Sequence, residues 1–170
     1  MMDDLMQRRR QDYLEQVVEL FPDGNELLDL LCRSVAKLLQ CSFATVVIVG
    51  GDEVFAVGAY HVPVRRLSGM RKVPFDRTKR QEFTSISKDL SHALFLGRQS
   101  AELQYFARVP MWPHGVYLGG LLVGDVRPHA ELTEEQWQGF EEAANLAQKI
   151  LLRSEALKIQ LGSLIEVIVP

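Results

Sequence analysis

At 170 residues and 47% hydrophobic content the chain can bury one proper core, and its length predicts a single domain with helical extensions. A net charge of −3 provides no broad basic field of the kind that draws a protein to nucleic acid or anionic lipid, so neither is expected as a partner. The longest apolar runs, residues 43–49 and 117–123, fall far short of the roughly 20 residues a spanning helix needs; the N-terminal stretch MMDDLMQRRRQDYLEQ lacks the apolar core of a secretory signal, and two cysteines are too few for a disulfide framework or an all-thiolate zinc site, so a cytoplasmic protein is expected.

Over residues 3–21 the spacing of Leu5, Tyr13, Leu14, Val17, Val18 and Phe21 predicts an amphipathic helix stopped by Pro22. Asp23 and Glu26 stand in capping-box spacing, and a second helix starting there has the apolar face Leu27, Leu28, Leu31, Val35, Leu38 and Leu39. Residues 42–49 are continuously apolar and β-branched, as in a strand covered on both faces, and Gly50, Gly51 and Asp52 turn the chain into a partner strand over residues 53–60. A second hairpin joins residues 103–112 to 116–126 around Pro113, His114 and Gly115. Between Val62 and Ala101 the periodicity weakens over a stretch longer than compact domains leave structureless, which predicts a functional or helical segment; residues 88–96, with Leu90, Ala93 and Leu94 on one face and Gly97 as a stop, are the candidate helix.

The last helix has the clearest start. Thr133 and Gln136 form a capping box, Leu132 and Trp137 occupy the positions of a hydrophobic staple, and Glu131, Glu134 and Glu135 put negative charge at the positive end of the helix dipole. Beyond it Phe140, Ala143, Ala147, Ile150, Ser154, Leu157, Leu161, Leu164 and Ile168 recur at spacings of three and four, a heptad seam. The first half suits the domain's own sheet, and the continuation past Leu152 predicts a partner helix. Gly162 argues against full helicity to the end.

Several features of the second half occur in a telling order: an aromatic strand ending in a small residue before proline (Ala107 to Pro110), a glycine turn at Gly115, then glycine, apolar residues and Asp (Gly119 to Asp125), then Arg127, Pro128 and a Thr-Glu-Glu-Gln helix start. With them the stretch YFARVPMWPHGVYLGGLLVGDVRPHAELTEEQWQGFEEAANLAQKIL, residues 105–151, resembles the C-terminal half of GAF domains, in particular those placed before diguanylate cyclase and histidine kinase modules. Residues 27–58 look like that family's opening helix and first hairpin. The resemblance implies an α+β fold in α/β/α layers: a GAF/PAS-like central antiparallel sheet of five to six strands, with helices packed on it and long N- and C-terminal helices. It divides the chain into an N-terminal dimerisation or signalling helix (1–22), a GAF-like domain (23–152) and an extension of the signalling helix (153–170).

The family's ligand pocket lies between the sheet and the variable middle segment, which the resemblance places here between Tyr60 and Arg108. The implied ligand-binding residues are Tyr60, His61, Phe83, Asp89, His92, Phe95, Tyr105 and Arg108, aromatic walls with few polar anchors, as suits a small molecule. Asp89 sits near a position where relatives often carry Asp. The competing view is that these aromatics are core and the polar groups solvated. Gly119 and Gly120 read as sites of close approach or a bulge, and Asp125 as an acceptor of backbone hydrogen bonds rather than an acid or base.

Catalytic residues are not expected. The four histidines form no metal-binding spacing; covalent bilin attachment and free methionine sulfoxide reduction both need pocket cysteines, and residues 51–170 contain none; the asparagine-lysine signature of cyclic-nucleotide relatives is missing. No cofactor is identified. Arg65, Arg66, Arg71, Lys72, Arg77, Lys79 and Arg80 against a single Asp76 form the one strongly charged stretch, either a solvated loop or a recruiter of an anionic ligand or acidic partner. The expected function is that of a cytoplasmic signal-transduction module which binds a small molecule, forms a homodimer through its N- and C-terminal helices and regulates an output protein or domain. The alternatives are a ligand-free interaction and dimerisation module and, more remotely, a haem- or thiol-dependent redox sensor or enzyme.

Overall fold

The computed structural model describes residues 2–68, 78–86 and 103–168, and within it the expected helix over 88–96 lies outside the described residues. The helices are α1 (Met2–Leu20), α2 (Glu26–Leu38), α3 (Glu134–Leu151) and α4 (Glu155–Ile168). The strands are β1 (Phe43–Val49), β2 (Glu53–Tyr60), β3 (Arg66–Ser68), β4 (Gln81–Phe83), β5 (Tyr105–Met111) and β6 (Gly119–Asp125). All six strands join one open antiparallel sheet in the order β3-β2-β1-β6-β5-β4, the α+β arrangement the sequence predicts.

Both expected hairpins form. Gly50 N donates to Glu53 O at 2.7 Å to close the first, and the 3₁₀ turn Pro113–Gly115 closes the second, with His114 exposed at its tip. A bulge interrupts β2: Val46 pairs with Gly58 but Val47 with Ala56, leaving Val57 as the extra residue. Its carbonyl accepts from Asn25 N at 2.7 Å. The irregularity in the sheet thus anchors the start of α2.

The expected α2 boundary is corrected by this contact. Gly24, at φ +83°, turns the chain, and the N-cap is Asn25, whose side chain accepts from Leu28 N at 3.1 Å; the Asp23 and Glu26 pair makes no capping box. The inward face also differs from the one expected. Leu28, Cys32, Val35, Ala36 and Leu39 are buried, while Leu27 and Leu38 face outward. Close seating of α2 explains the orientation: a Cβ on Gly58 would lie 2.7 Å from Leu28 Cβ, so the helix can sit on β2 only where the strand has no side chain.

The expected seam along one continuous terminal helix is likewise corrected. The helix breaks at Leu152–Ser154, and α4 starts afresh with Ser154 Oγ accepting from Leu157 N at 3.4 Å. Leu157, Leu161 and Leu164 are buried in one core with Tyr13, Leu14 and Val17 of α1, and α4 packs against α1. The partner helix implied by the heptads belongs to the same chain.

One large core therefore joins the four helices to one face of the sheet, through Ala44, Val46, Ile48, Phe55, Val57, Leu121 and Val123. A smaller core built on Phe43, Val47, Ala56, Phe106 and Leu122 lies on the opposite face, which no described helix covers. The flanks of the undescribed stretches, among them Leu67, Ile86 and Leu103, pack there.

Candidate functional site

Among the described residues, the opposite face carries one buried charge. Arg108 follows Phe106 and precedes Pro110 on β5, a parity that turns it away from Tyr105, Ala107, Val109 and Met111, whose side chains join the helix-side core. It is 1% exposed. Its Nη1 donates to Oε1 of Gln81, its register partner on β4, at 3.0 Å, and its Nη2 donates to the hydroxyl of Tyr117 at 3.0 Å. These two acceptors are neutral. Phe83, two residues along β4 from Gln81, stacks in a tilted arrangement 6.1 Å from Phe106, so the guanidinium is set in an aromatic and aliphatic surface.

Tyr117 reaches both sides of the sheet. While its hydroxyl holds Arg108, its carbonyl accepts from Nη1 of the buried Arg10 on α1, whose guanidinium carbon lies 5.8 Å from the Tyr117 ring centroid. Neither Gln81 nor Tyr117 is singled out by sequence reasoning, because cross-strand register and the reach of a side chain from a turn have no local signature. An aromatic two residues ahead of a strand glycine pair is the only hint in the chain.

The residues expected to form one pocket are divided between faces. Phe83 and Arg108 share the uncovered face. Tyr60 and Tyr105 join the helix-side core instead. For Tyr60 the reason is the Val57 bulge, which reverses the alternation of β2: Phe55 and Val57 point to the helices, Ala59 away, and Tyr60 back again. His61, exposed at φ 59°, stacks on Tyr60 at 3.9 Å and has its Nδ1 3.1 Å from Ser42 O. Asp89, His92 and Phe95 lie outside the described residues.

A second polar cluster ties β6 to the start of α3. Asp125, fully buried, accepts from Arg127 N at 3.0 Å, from the Arg127 guanidinium and from His129 at 2.8 Å. Burial alone would raise its pKa, but these donors outweigh it and hold the carboxyl down to about 2. Tyr105 stacks on His129 at 4.8 Å and donates to Glu82 at 2.5 Å, and Glu82 also accepts from Leu132 N. The tyrosine hydroxyl is pushed well above its ordinary range by burial and by that carboxylate. Every polar group named here is occupied in fastening the loop ahead of α3, so the cluster is a clasp.

Three described members of the basic stretch, Arg65, Arg66 and Arg80, are fastened too, which removes these three as a free anion-recruiting surface, while Lys79 is exposed. Arg65 pairs with Asp29 of α2 at 3.2 Å, Arg66 with Glu53 and Glu15, and Arg80 with Glu134 and Glu141 of α3 while lying 4.5 Å over the Trp137 ring. Arg71, Lys72, Asp76 and Arg77 lie outside the described residues. Cys32 and Cys41 are buried, and desolvation pushes both thiols up to about 12. Among the described residues no three His, Cys, Asp or Glu side chains gather as a metal-binding group, and no helix is long and apolar enough to cross a membrane.

No protein-family model matches the sequence, and no curated protein does. Solved structures do. The blue-light-absorbing form of the PixJ GAF domain from Thermosynechococcus elongatus is 16% identical, with 91% of this chain and 95% of that one covered at a TM-score of 0.59. The GAF domain of a phosphoenolpyruvate-protein phosphotransferase from Coxiella burnetii is 17% identical, with 85% and 94% covered at 0.58. A domain assigned to a two-component sensor histidine kinase protein from Sinorhizobium meliloti is 17% identical, with 78% and 95% covered at 0.56. At such identities the likeness speaks for architecture, and the architecture of this chain, six antiparallel strands in one sheet with the described helices on one face, is that of a GAF domain.

Proposed function

We propose that the chain is a non-catalytic regulatory module that couples a small-molecule ligand to an output partner in the cytoplasm. The observation that carries this reading is Arg108, a guanidinium buried on the sheet face that no described helix covers and bordered by Phe83, Phe106 and Leu122. An apolar surface bearing a planar, multidentate donor suits a ligand with a carbonyl, carboxylate or phosphate beside an apolar body. The fold it shares with a photoreceptor domain and with a domain assigned to a sensor kinase supports the same assignment. Phe83 and Arg108, together with Asp89, His92 and Phe95, make up the proposed ligand site.

Residues 23–152 are the sensor in this reading, and residues 1–22 and 153–170 its signalling helices. Ligand contact at Arg108 biases Tyr117, Tyr117 biases Arg10, and Arg10 belongs to the helix that packs on α4. The mechanism is a population shift between two arrangements of that helix pair. The arginine clamps add a second route, because Arg65, Arg66 and Arg80 connect both flanks of the 69–77 stretch to α2, α1 and α3. Homodimerisation belongs to the same reading.

An interaction module without a ligand is the second reading, favoured by the outward leucines of α2. The thiol-dependent alternative is disfavoured by two buried thiols held protonated. Native mass spectrometry of freshly purified protein separates the first two. A small molecule retained by the wild type and lost from a folded Arg108→Ala variant supports the ligand site. An empty wild type, with hydrogen exchange in α1 and α4 unmoved by a panel of nucleotides and organic acids, leaves the interaction module.

A further inference from the structure

With Leu157, Leu161 and Leu164 consumed inside the subunit, the exposed leucines of the described helix layer gather elsewhere. On α2, Leu27, Leu30 and Leu38 are 52%, 57% and 54% exposed and fall with Ser34 on one stripe at spacings of three and four. On α3, Glu135, Gly139, Glu142 and Leu146 form the corresponding stripe, with Leu146 46% exposed. The two abut: a Cβ on Gly139 would lie 3.0 Å from Leu38 Cδ2. Exposed leucines gathered at one groove are what monomers avoid and interfaces use.

The charges beside the middle of this groove are of opposite sign on its two walls, and each wall also ends in one exposed charge of the other sign, Glu26 on α2 and Lys149 on α3. Arg33 and Lys37, both exposed, continue the row begun by Leu30 on α2, whereas Glu135 and Glu142, both exposed, flank Gly139 on α3. A surface mainly basic along one wall and mainly acidic along the other matches itself when turned about a two-fold axis lying along the groove. We infer that a second copy of this chain docks here, α2 of each copy lying on α3 of the other. The α2 leucines then cover Gly139 and Leu146, and Arg33 and Lys37 face the partner copy's acidic wall. Placing α2 on α2 would instead bring the basic rows together. This inference rests on the dimer element of the function proposed above and is independent of its ligand element.

Sedimentation across a concentration series tests it. The wild type is expected to be a dimer. The double variant Leu30→Glu/Leu38→Glu, altered only at exposed positions, is expected to be a monomer with unchanged circular dichroism, and Ile159→Glu on the exposed side of α4 is expected to stay dimeric. Lys37→Glu and Glu142→Lys each weaken the dimer roughly tenfold or more, because each places like charges together twice per dimer. An equimolar mixture of these two variants recovers wild-type affinity, since both contacts of the mixed dimer are again of opposite sign. A monomeric wild type, a dimer that survives the leucine variant, or a mixture no tighter than its components overturns the inference. A monomeric wild type that still retains a ligand sinks the dimer alone; a dimer that retains none sinks only the ligand site.

Discussion

Arg108 donates from Nη2 to the hydroxyl of Tyr117 at 3.0 Å, and through that tyrosine a charge on one face of the sheet is joined to a helix on the other. Removing only the hydroxyl tests the link. Tyr117→Phe leaves a buried guanidinium short of one acceptor and is expected to cost about 1 to 3 kcal/mol in urea unfolding. Hydrogen exchange in α1 is expected to quicken in the same variant. Unaltered α1 protection would mean the tyrosine is local support only.

Asp125 supplies a pH dependence of known sign. Its carboxyl titrates at about 2 in the folded chain, below the ordinary value of 3.8, so the stabilisation is fully present above the ordinary value and is lost as pH falls from about 4 toward 2. The contribution is on the order of 2 kcal/mol. Asp125→Asn should lower stability at neutral pH and flatten the acid limb of a stability profile; an acid limb as steep as that of the wild type would assign it to other carboxylates.

Leu157→Ala and Leu161→Ala each open a cavity between α4 and α1 and are expected to cost about 2 to 5 kcal/mol. Because the contact lies within one chain, the loss is independent of protein concentration. A thermal midpoint that falls further on dilution would point to a contact between chains.

Gly58→Ala forces a methyl group against Leu28, whose Cβ and carbonyl oxygen would lie 2.7 and 2.9 Å away. The helix must lift from the sheet, at a cost of about 1 to 3 kcal/mol. Chemical denaturation with an unchanged slope is the expected readout.

Cys32 and Cys41 are expected to resist a thiol-reactive dye in the native protein near neutral pH and to label together on unfolding. Rapid labelling of either in the folded state would reopen thiol chemistry for this chain.

The division between what is local and what is global runs through individual residues. The capping box is present as spelled, with Thr133 N donating to Gln136 Oε1 at 2.9 Å and Gln136 N to Thr133 Oγ1 at 3.2 Å, because its atoms lie within one helical turn. Asp125 accepts from the backbone two residues on, as an aspartate at a strand end tends to do. Gly119 and Gly120 are sites of close approach, but the neighbours are strand backbones: a Cβ on Gly119 would meet Val47 O and one on Gly120 would meet Val109 O. Spacing says that something comes close and leaves open what it is.

The amino-acid order alone determined the hairpins, the helix start at Thr133 and the GAF-like succession of elements, since alternation, turn chemistry and caps act over a few residues. Tertiary structure decided which face each side chain occupies and which surface answers which. A single extra residue at Val57 sends Tyr60 to the helix side, and α1 supplies the partner that the leucines of α4 require. Both outcomes depend on distances closed through space between segments far apart in the chain, where a one-residue slip or a broken helix changes the neighbour without changing the local pattern.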